Sequence, residues 1–284
     1  PYFYATEFDQ ATSKPLGWKI PPHEIIHRYI DSGIPVILGI APQSGSAIGH
    51  AALATGFCYD LASKLNVATP NPTKAEFLSH FLANDDQLGP NVLVPLKAGL
   101  LNSDTTYNIS EHLWYLIIPL PKKVFLSAET AEALAWDTLS QYDAIWPSGI
   151  RPKLNNSDLG DSFVAGRAAN KILARTYLTF GWKYKARMLR NTCSDVVKDE
   201  LLYLELPRYV WVSEFGLSDA LSDADASQHR ICAHAVIDAT ASRYWNSMLL
   251  FHAPGVVAAF SHDPANEFGD YKQTTKLIVH DQDY

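Results

Sequence analysis

The apolar stretches of this sequence stop at strand length. Residues 34–40 form a continuous apolar run with Pro35 near its start, and residues 113–120, among the longest such stretches, carry Pro119. A membrane-spanning helix needs about eighteen uncharged apolar residues in a row, and no segment reaches that. No basic region followed by an apolar run opens the chain, so no signal peptide is visible. The sequence therefore reads as that of a soluble protein, and its sparse cysteine usage points to the cytoplasm. Of its 284 residues, 47% are hydrophobic and 19% charged, enough apolar material for a real core and too little charge for disorder or a coiled coil. Lys and Arg number 23 against 30 Asp and Glu, a net charge of −7. Phosphate contacts demand clustered cations, so nucleic acid is not an expected partner. Three cysteines make no disulfide framework. The first residue is Pro1, not methionine, and the chain is expected to be a processed or truncated product.

Periodicity predicts a helix over 23–32, where Ile25, Ile26, Tyr29 and Ile30 recur at helical spacing and Gly33 stops it. Residues 34–40 and 50–59 read as strands on either side of a Gly- and Ser-rich loop, 41–49. A polar loop covers 60–75, and further strands are expected at 76–83, 91–96, 112–118 and 124–126. Ser127 reads as a helix N-cap with Glu129 in the first turn. The prolines, glycine and asparagines of 143–158 mark a hinge. Residues 161–190 are expected to be helical with an interruption near 177–181, and 196–204 form another helix. Strands are expected at 206–215, 231–240, 256–260 and 276–280. Strands so often adjacent in the chain favour an α+β fold over a doubly wound sheet. The expected division is a strand-rich half, 1–126, and a mixed helix-and-strand lobe, 127–284.

Two stretches carry chemistry. The first runs Ser32-Gly33-Ile34-Pro35-Val36-Ile37-Leu38-Gly39-Ile40, then Gly49-His50-Ala51-Ala52-Leu53-Ala54-Thr55-Gly56-Phe57. The second is Phe81-Leu82-Ala83-Asn84-Asp85-Asp86-Gln87-Leu88-Gly89-Pro90. A catalytic imidazole needs one ring nitrogen toward the nucleophile and the other held by an acceptor. His50 opens a strand of small residues, Gly49 permits close backbone approach, and an acid emerging from the next strand could fix the ring. Over roughly residues 20–97 this pattern resembles the histidine segment of papain-like cysteine peptidases, nearest the bacteriocin-processing (double-glycine) branch and its bacterial relatives. The resemblance implies a papain-like core with an antiparallel sheet, and a thiol hydrolase that cleaves peptide or isopeptide bonds through an acyl-thioester. His50 would be its general base and Asp85 the orienter. Asn84 and Asp86 remain alternates, because neighbours in a strand alternate in direction. No cofactor is implied, and the expected partner is a peptide or protein, as substrate or ligand.

The nucleophile departs from that pattern. Such peptidases carry the cysteine upstream of the histidine, at a helix N-terminus that favours thiolate. Residues 1–49 contain none. Cys58 lies eight positions after His50, which at strand spacing is about 26 Å away. Cys193 and Cys232 come much later. Three readings stay open: a fragment of an enzyme, a silent papain-like module that binds a peptide or protein partner, or a site rearranged around a downstream cysteine. Serine offers no substitute, since residues 43–49 lack the Gly-x-Ser-x-Gly spacing. In the second half Cys232, His234 and Asp238 would share one face of a strand, with His252, His262 and Asp263 nearby in sequence, but no pair has zinc-finger or His-Glu-x-x-His spacing and no metal is expected. Tyr209, Trp211, Tyr244 and Trp245 read as core, and Lys183, Lys185, Arg187 and Arg190 as the solvated face of a helix.

Overall fold

A computed structural model of the chain describes residues 2–5, 7–8, 15–42, 49–60, 62–142, 158–190, 195–217, 231–242, 247–262 and 273–279. It is a mixed α+β protein with two six-stranded antiparallel sheets. The chain divides into two compact units, residues 1–64 with 73–122 and residues 65–72 with 123–284.

The first unit begins with β1 (Tyr2–Ala5) and a short ribbon, β2 (Glu7–Phe8) and β3 (Pro15–Gly17). Helix α1 (Pro22–Asp31) follows, with a proline in its first turn, Glu24 near its positive end and a left-handed Gly33 just past its C-terminus. Its buried stripe, Ile25, Ile26, Tyr29 and Ile30, packs toward the sheet. Strands β4 (Val36–Ile40) and β5 (His50–Tyr59) form a hairpin in which Ile40 pairs with His50. A 3₁₀ turn (Lys74–Phe77) takes the first residues of the strand expected at 76–83, so that β6 (Leu78–Asp85) starts later and runs further. Strand β7 (Gly89–Pro95), helix α2 (Ile109–His112) and β8 (Leu113–Ile118) complete the unit. The sheet order is β1-β8-β4-β5-β6-β7, every pair antiparallel.

The second unit takes in residues 65–72 because Asn170 Nδ2 donates to the carbonyls of Val67 and Thr69, and Ala174 N to that of Pro72. Residues 124–126 form no strand, contrary to expectation. The amides of Phe125 and Leu126 instead donate to the Ala239 carbonyl. Ser127 caps α3 (Ala128–Ser140), accepting from Thr130 N at 3.2 Å. Helix α4 (Asp158–Ala168) leads into β9 (Ile172–Phe180), a strand where sequence periodicity predicts helix. Its β-branched and aromatic residues suit a pleated surface, and all nine residues pair with β10 (Tyr209–Leu217). Helices α5 (Gly181–Arg190) and α6 (Asp195–Tyr203) lie between those strands in sequence. Strands β11 (Ile231–Asp238), β12 (Met248–Ala253), β13 (Val256–His262) and β14 (Gln273–Val279) continue the sheet in chain order. Strand β12 has no counterpart among the sequence expectations.

Both faces of the second sheet are covered. Tyr184 and Met188 of α5 and Val197 and Leu201 of α6 pack on Val210, Val212, Val236 and Val257. On the other face Trp136 of α3 meets Phe215 edge-on at 5.0 Å. Buried Trp211 donates to the Leu126 carbonyl at 2.8 Å, so it is core as expected. Among the described residues no helix is long and apolar enough to cross a membrane.

Candidate functional site

His50 is the first residue of β5 and Asp85 the last of β6. Asp85 is in register with Ala52, so alternation puts it on the same face as His50, two residues away along β5. The geometry follows from that. His50 Nε2 lies 3.0 Å from Asp85 Oδ2, with the carboxylate fully buried and the imidazole 17% exposed. The same Oδ2 accepts the Tyr107 hydroxyl at 2.5 Å. Oδ1 accepts the amides of Gln87 at 2.9 Å and Leu88 at 3.1 Å, an Asx turn that leads through left-handed Gly89 into β7. Burial alone would raise the Asp85 pKa, but the hydrogen bonds from Tyr107, Gln87, His50 and Leu88 outweigh it and hold the carboxyl below its ordinary value. Asp85 is therefore an anion with four donors. His50 Nδ1 has no hydrogen-bond partner among the described residues.

Tyr107 is the residue that sequence reading misses. It is buried, and its ring meets the His50 ring edge-on at 5.1 Å. Burial, then the Asp85 bond and the charges of Asp85 and Asp86, push its hydroxyl pKa far upward, so it acts only as a donor. Its position comes from the start of α2. Asn108 caps that helix through Glu111 N at 2.9 Å and returns a bond from Nδ2 to the Glu111 carboxylate. The Asn108-x-x-Glu111 spacing is readable in the sequence as a cap, but nothing local says that the preceding tyrosine turns toward a histidine 57 positions earlier.

The alternates fall elsewhere. Asn84 is exposed on the opposite face, where its Oδ1 accepts Asn91 N at 3.1 Å. Asp86 is exposed in the turn and reaches Tyr107 only through its charge. A shallow open depression takes in Leu53, Asn84, Asp85, Asp86 and Pro90 among its lining residues, and His50 is not one of them. Cys58, the exposed free cysteine of this unit, sits near the far end of β5 from His50. Cys193 lies outside the described residues.

In the second unit His234 and Asp238 share a face of β11, but the pairing with β10 skips Cys232, which breaks the expected alternation there, and among the described residues no group of three His, Cys, Asp or Glu could hold a metal ion. His234 Nε2 is 2.5 Å from the Tyr184 hydroxyl, and Asp238 Oδ1 accepts the Thr240 amide and hydroxyl. His262 is a backbone member of β13, and Asp263, Tyr244 and Trp245 lie outside the described residues. Arg187, expected on a solvated face, instead pairs at 2.7 Å with buried Glu214, which also accepts from Tyr177 at 2.8 Å. Glu214, His234 and His252 form one register row across β10, β11 and β12. No protein-family model, curated protein or solved structure matches this chain.

Proposed function

We propose that the first unit is the histidine–aspartate half of a papain-like thiol hydrolase acting on peptide or isopeptide bonds. The observation that carries this reading is the His50–Asp85 pair: one imidazole nitrogen is held at 3.0 Å by a buried, four-fold hydrogen-bonded carboxylate. Such a ring is fixed in orientation and tautomer. Nε2–H donates to Asp85, Nδ1 keeps its lone pair, and an imidazolium formed by proton uptake is stabilised by the adjacent anion. His50 then removes the proton of a cysteine thiol at Nδ1 and later returns it to the leaving amine. The cysteine of such an enzyme would come from polypeptide outside these 284 residues. Asp85 stays ionised throughout. Tyr107 holds Asp85 without exchanging a proton.

Thiol-directed alkylation of the natural gene product tests this. One cysteine is expected to react rapidly at pH 6.5 with a peptide-based electrophile. His50→Ala should slow it at least a hundredfold and Asp85→Asn about tenfold. If no cysteine shows reactivity that depends on His50, the hydrolase reading fails. A second reading, a silent papain-like module that binds a peptide or protein, is favoured by one observation: no described cysteine of the unit stands near His50. Peptide binding that persists unchanged in His50→Ala, with no cleavage, would select it.

A further inference from the structure

The proposed reaction uses neither Cys58 nor His80 of the first unit, and the sheet pairs them across neighbouring strands. Past an irregularity at 54–56, β5 and β6 pair Phe57 with Phe81 and Cys58 with His80. Phe57 contacts the His27 ring of α1 at 4.6 Å, so Phe57 and Phe81 mark the face that the helix covers. Alternation places Cys58 and His80 together on the opposite face. Directly opposed residues of an antiparallel pair hold their Cβ atoms about 5 Å apart, within reach of each other once the thiol turns toward the ring; as the side chains stand, no hydrogen bond joins the thiol to Nε2.

Their environments differ. Cys58 is exposed and free. His80 is only 8% exposed, and its Nε2 is buried with no hydrogen-bond partner among the described residues. The neighbours explain why. Across β7 the register partner of His80 is Pro95, and Leu82 is the next residue along β6 on the same face. Neither side chain has a donor or acceptor. Cys58 is the polar side chain among these register neighbours. A nearly buried imidazole without a partner is costly, and a group arriving at the cysteine would change its surroundings. A two-ligand metal clip fits less well, since among the described residues no third ligand completes a set.

We infer that Cys58 is a modification site for low-molecular-weight disulfides, with His80 accepting the thiol proton. The Cys58 sulfur attacks one sulfur of the disulfide as His80 takes its proton. A new S–S bond forms, the original one breaks, and the departing thiolate leaves with the electron pair and is reprotonated from the imidazolium. The Cys58 sulfur is oxidised, the departing thiol is the reduced product, and no other oxidant is required. His50 takes no part, so this site and the hydrolase reading stand or fall separately.

Oxidised glutathione at pH 6.5 is the probe, with the full chain and peptide mapping by mass spectrometry. The expected result is a single mixed disulfide on the Cys58 peptide, absent in Cys58→Ser. It should form at least tenfold more slowly in His80→Gln, with that gap closing near pH 9, where solvent ionises thiols unaided. Equal rates for wild type and His80→Gln at pH 6.5, or adducts only at Cys193 or Cys232, would overturn the inference. Because His80 is buried, the wild-type rate at pH 6.5 is also compared with that of the same chain in urea. Faster reaction of Cys58 in the folded chain supports the site, and equal or slower reaction rejects it whatever the folding of the variant.

Discussion

Asp85 shows how one buried residue is made tolerable by its neighbours. Two amides, a hydroxyl and an imidazole saturate its oxygens, and the hydroxyl and imidazole share Oδ2. Removing the Tyr107 hydroxyl leaves three donors. Tyr107→Phe is therefore expected to cost about 1 kcal/mol at pH 7, read from urea unfolding, and to raise the Asp85 titration followed by carboxyl ¹³C NMR. The folded pKa of Asp85 is depressed below its ordinary 3.8. Its linkage contribution is thus complete above that value and lost as pH falls through the folded pKa, so the gap between wild type and Tyr107→Phe narrows below about pH 4. An unchanged Asp85 titration would remove Tyr107 from the site.

At the scale of elements, Gly49 sets the hairpin that delivers His50. A Cβ there would sit 2.4 Å from the Ile40 carbonyl oxygen, a backbone atom that cannot swing aside. Gly49→Ala is expected to shift the Ile40–His50 register, cost about 2 kcal/mol in chemical denaturation and weaken the His50–Asp85 bond, visible in imidazole NMR. Native stability and spectra would contradict this. Helix ends behave more locally. Ser127→Ala should lower stability by about 1 kcal/mol through loss of one cap bond. Sequence periodicity located α1, β4, β5, α3 and α6 closely, and at α1 and α3 a stop signal or a cap marks an end. It took β9 for helix because apolar and basic residues are mixed there, and the partner that imposes the pleat, β10, lies some thirty residues further along the chain. Strand β12 escaped notice because it is buried on both faces, so its run Met-Leu-Leu-Phe-His-Ala does not alternate.

For the molecule as a whole, acid is the sensitive variable. His234 has no exposed surface, and burial first, then the charges of His252 and Arg187, hold its pKa well below 6.5. The unfolded chain takes up that proton near pH 6.5 while the folded chain does not. Stability is therefore at its plateau above that pH and is lost as pH falls below it. In the first unit burial and Arg28 push His23 down to about 4, which adds a loss of the same sign between pH 6.5 and 4. Urea midpoints should fall steadily over this range, and midpoints that stay level from pH 7 to 5 would refute the neutral buried state.

The sequence by itself determined what is local: which segments are helix or strand where a cap or breaker bounds them, and that a histidine opens one strand while an acidic cluster closes the next. Those features depend on periods of 2 and 3.6 residues and on turn chemistry, all contained within a few positions. Tertiary structure alone decided which acid meets His50. It selected Asp85 by the face of β6 and left Asn84 on the other. It also brought in Tyr107 from 22 residues beyond that acid, set His80 beside Cys58, and drew residues 65–72 into the second unit. Each of those depends on long-range register, and a one-residue change in pairing would exchange every side chain between faces.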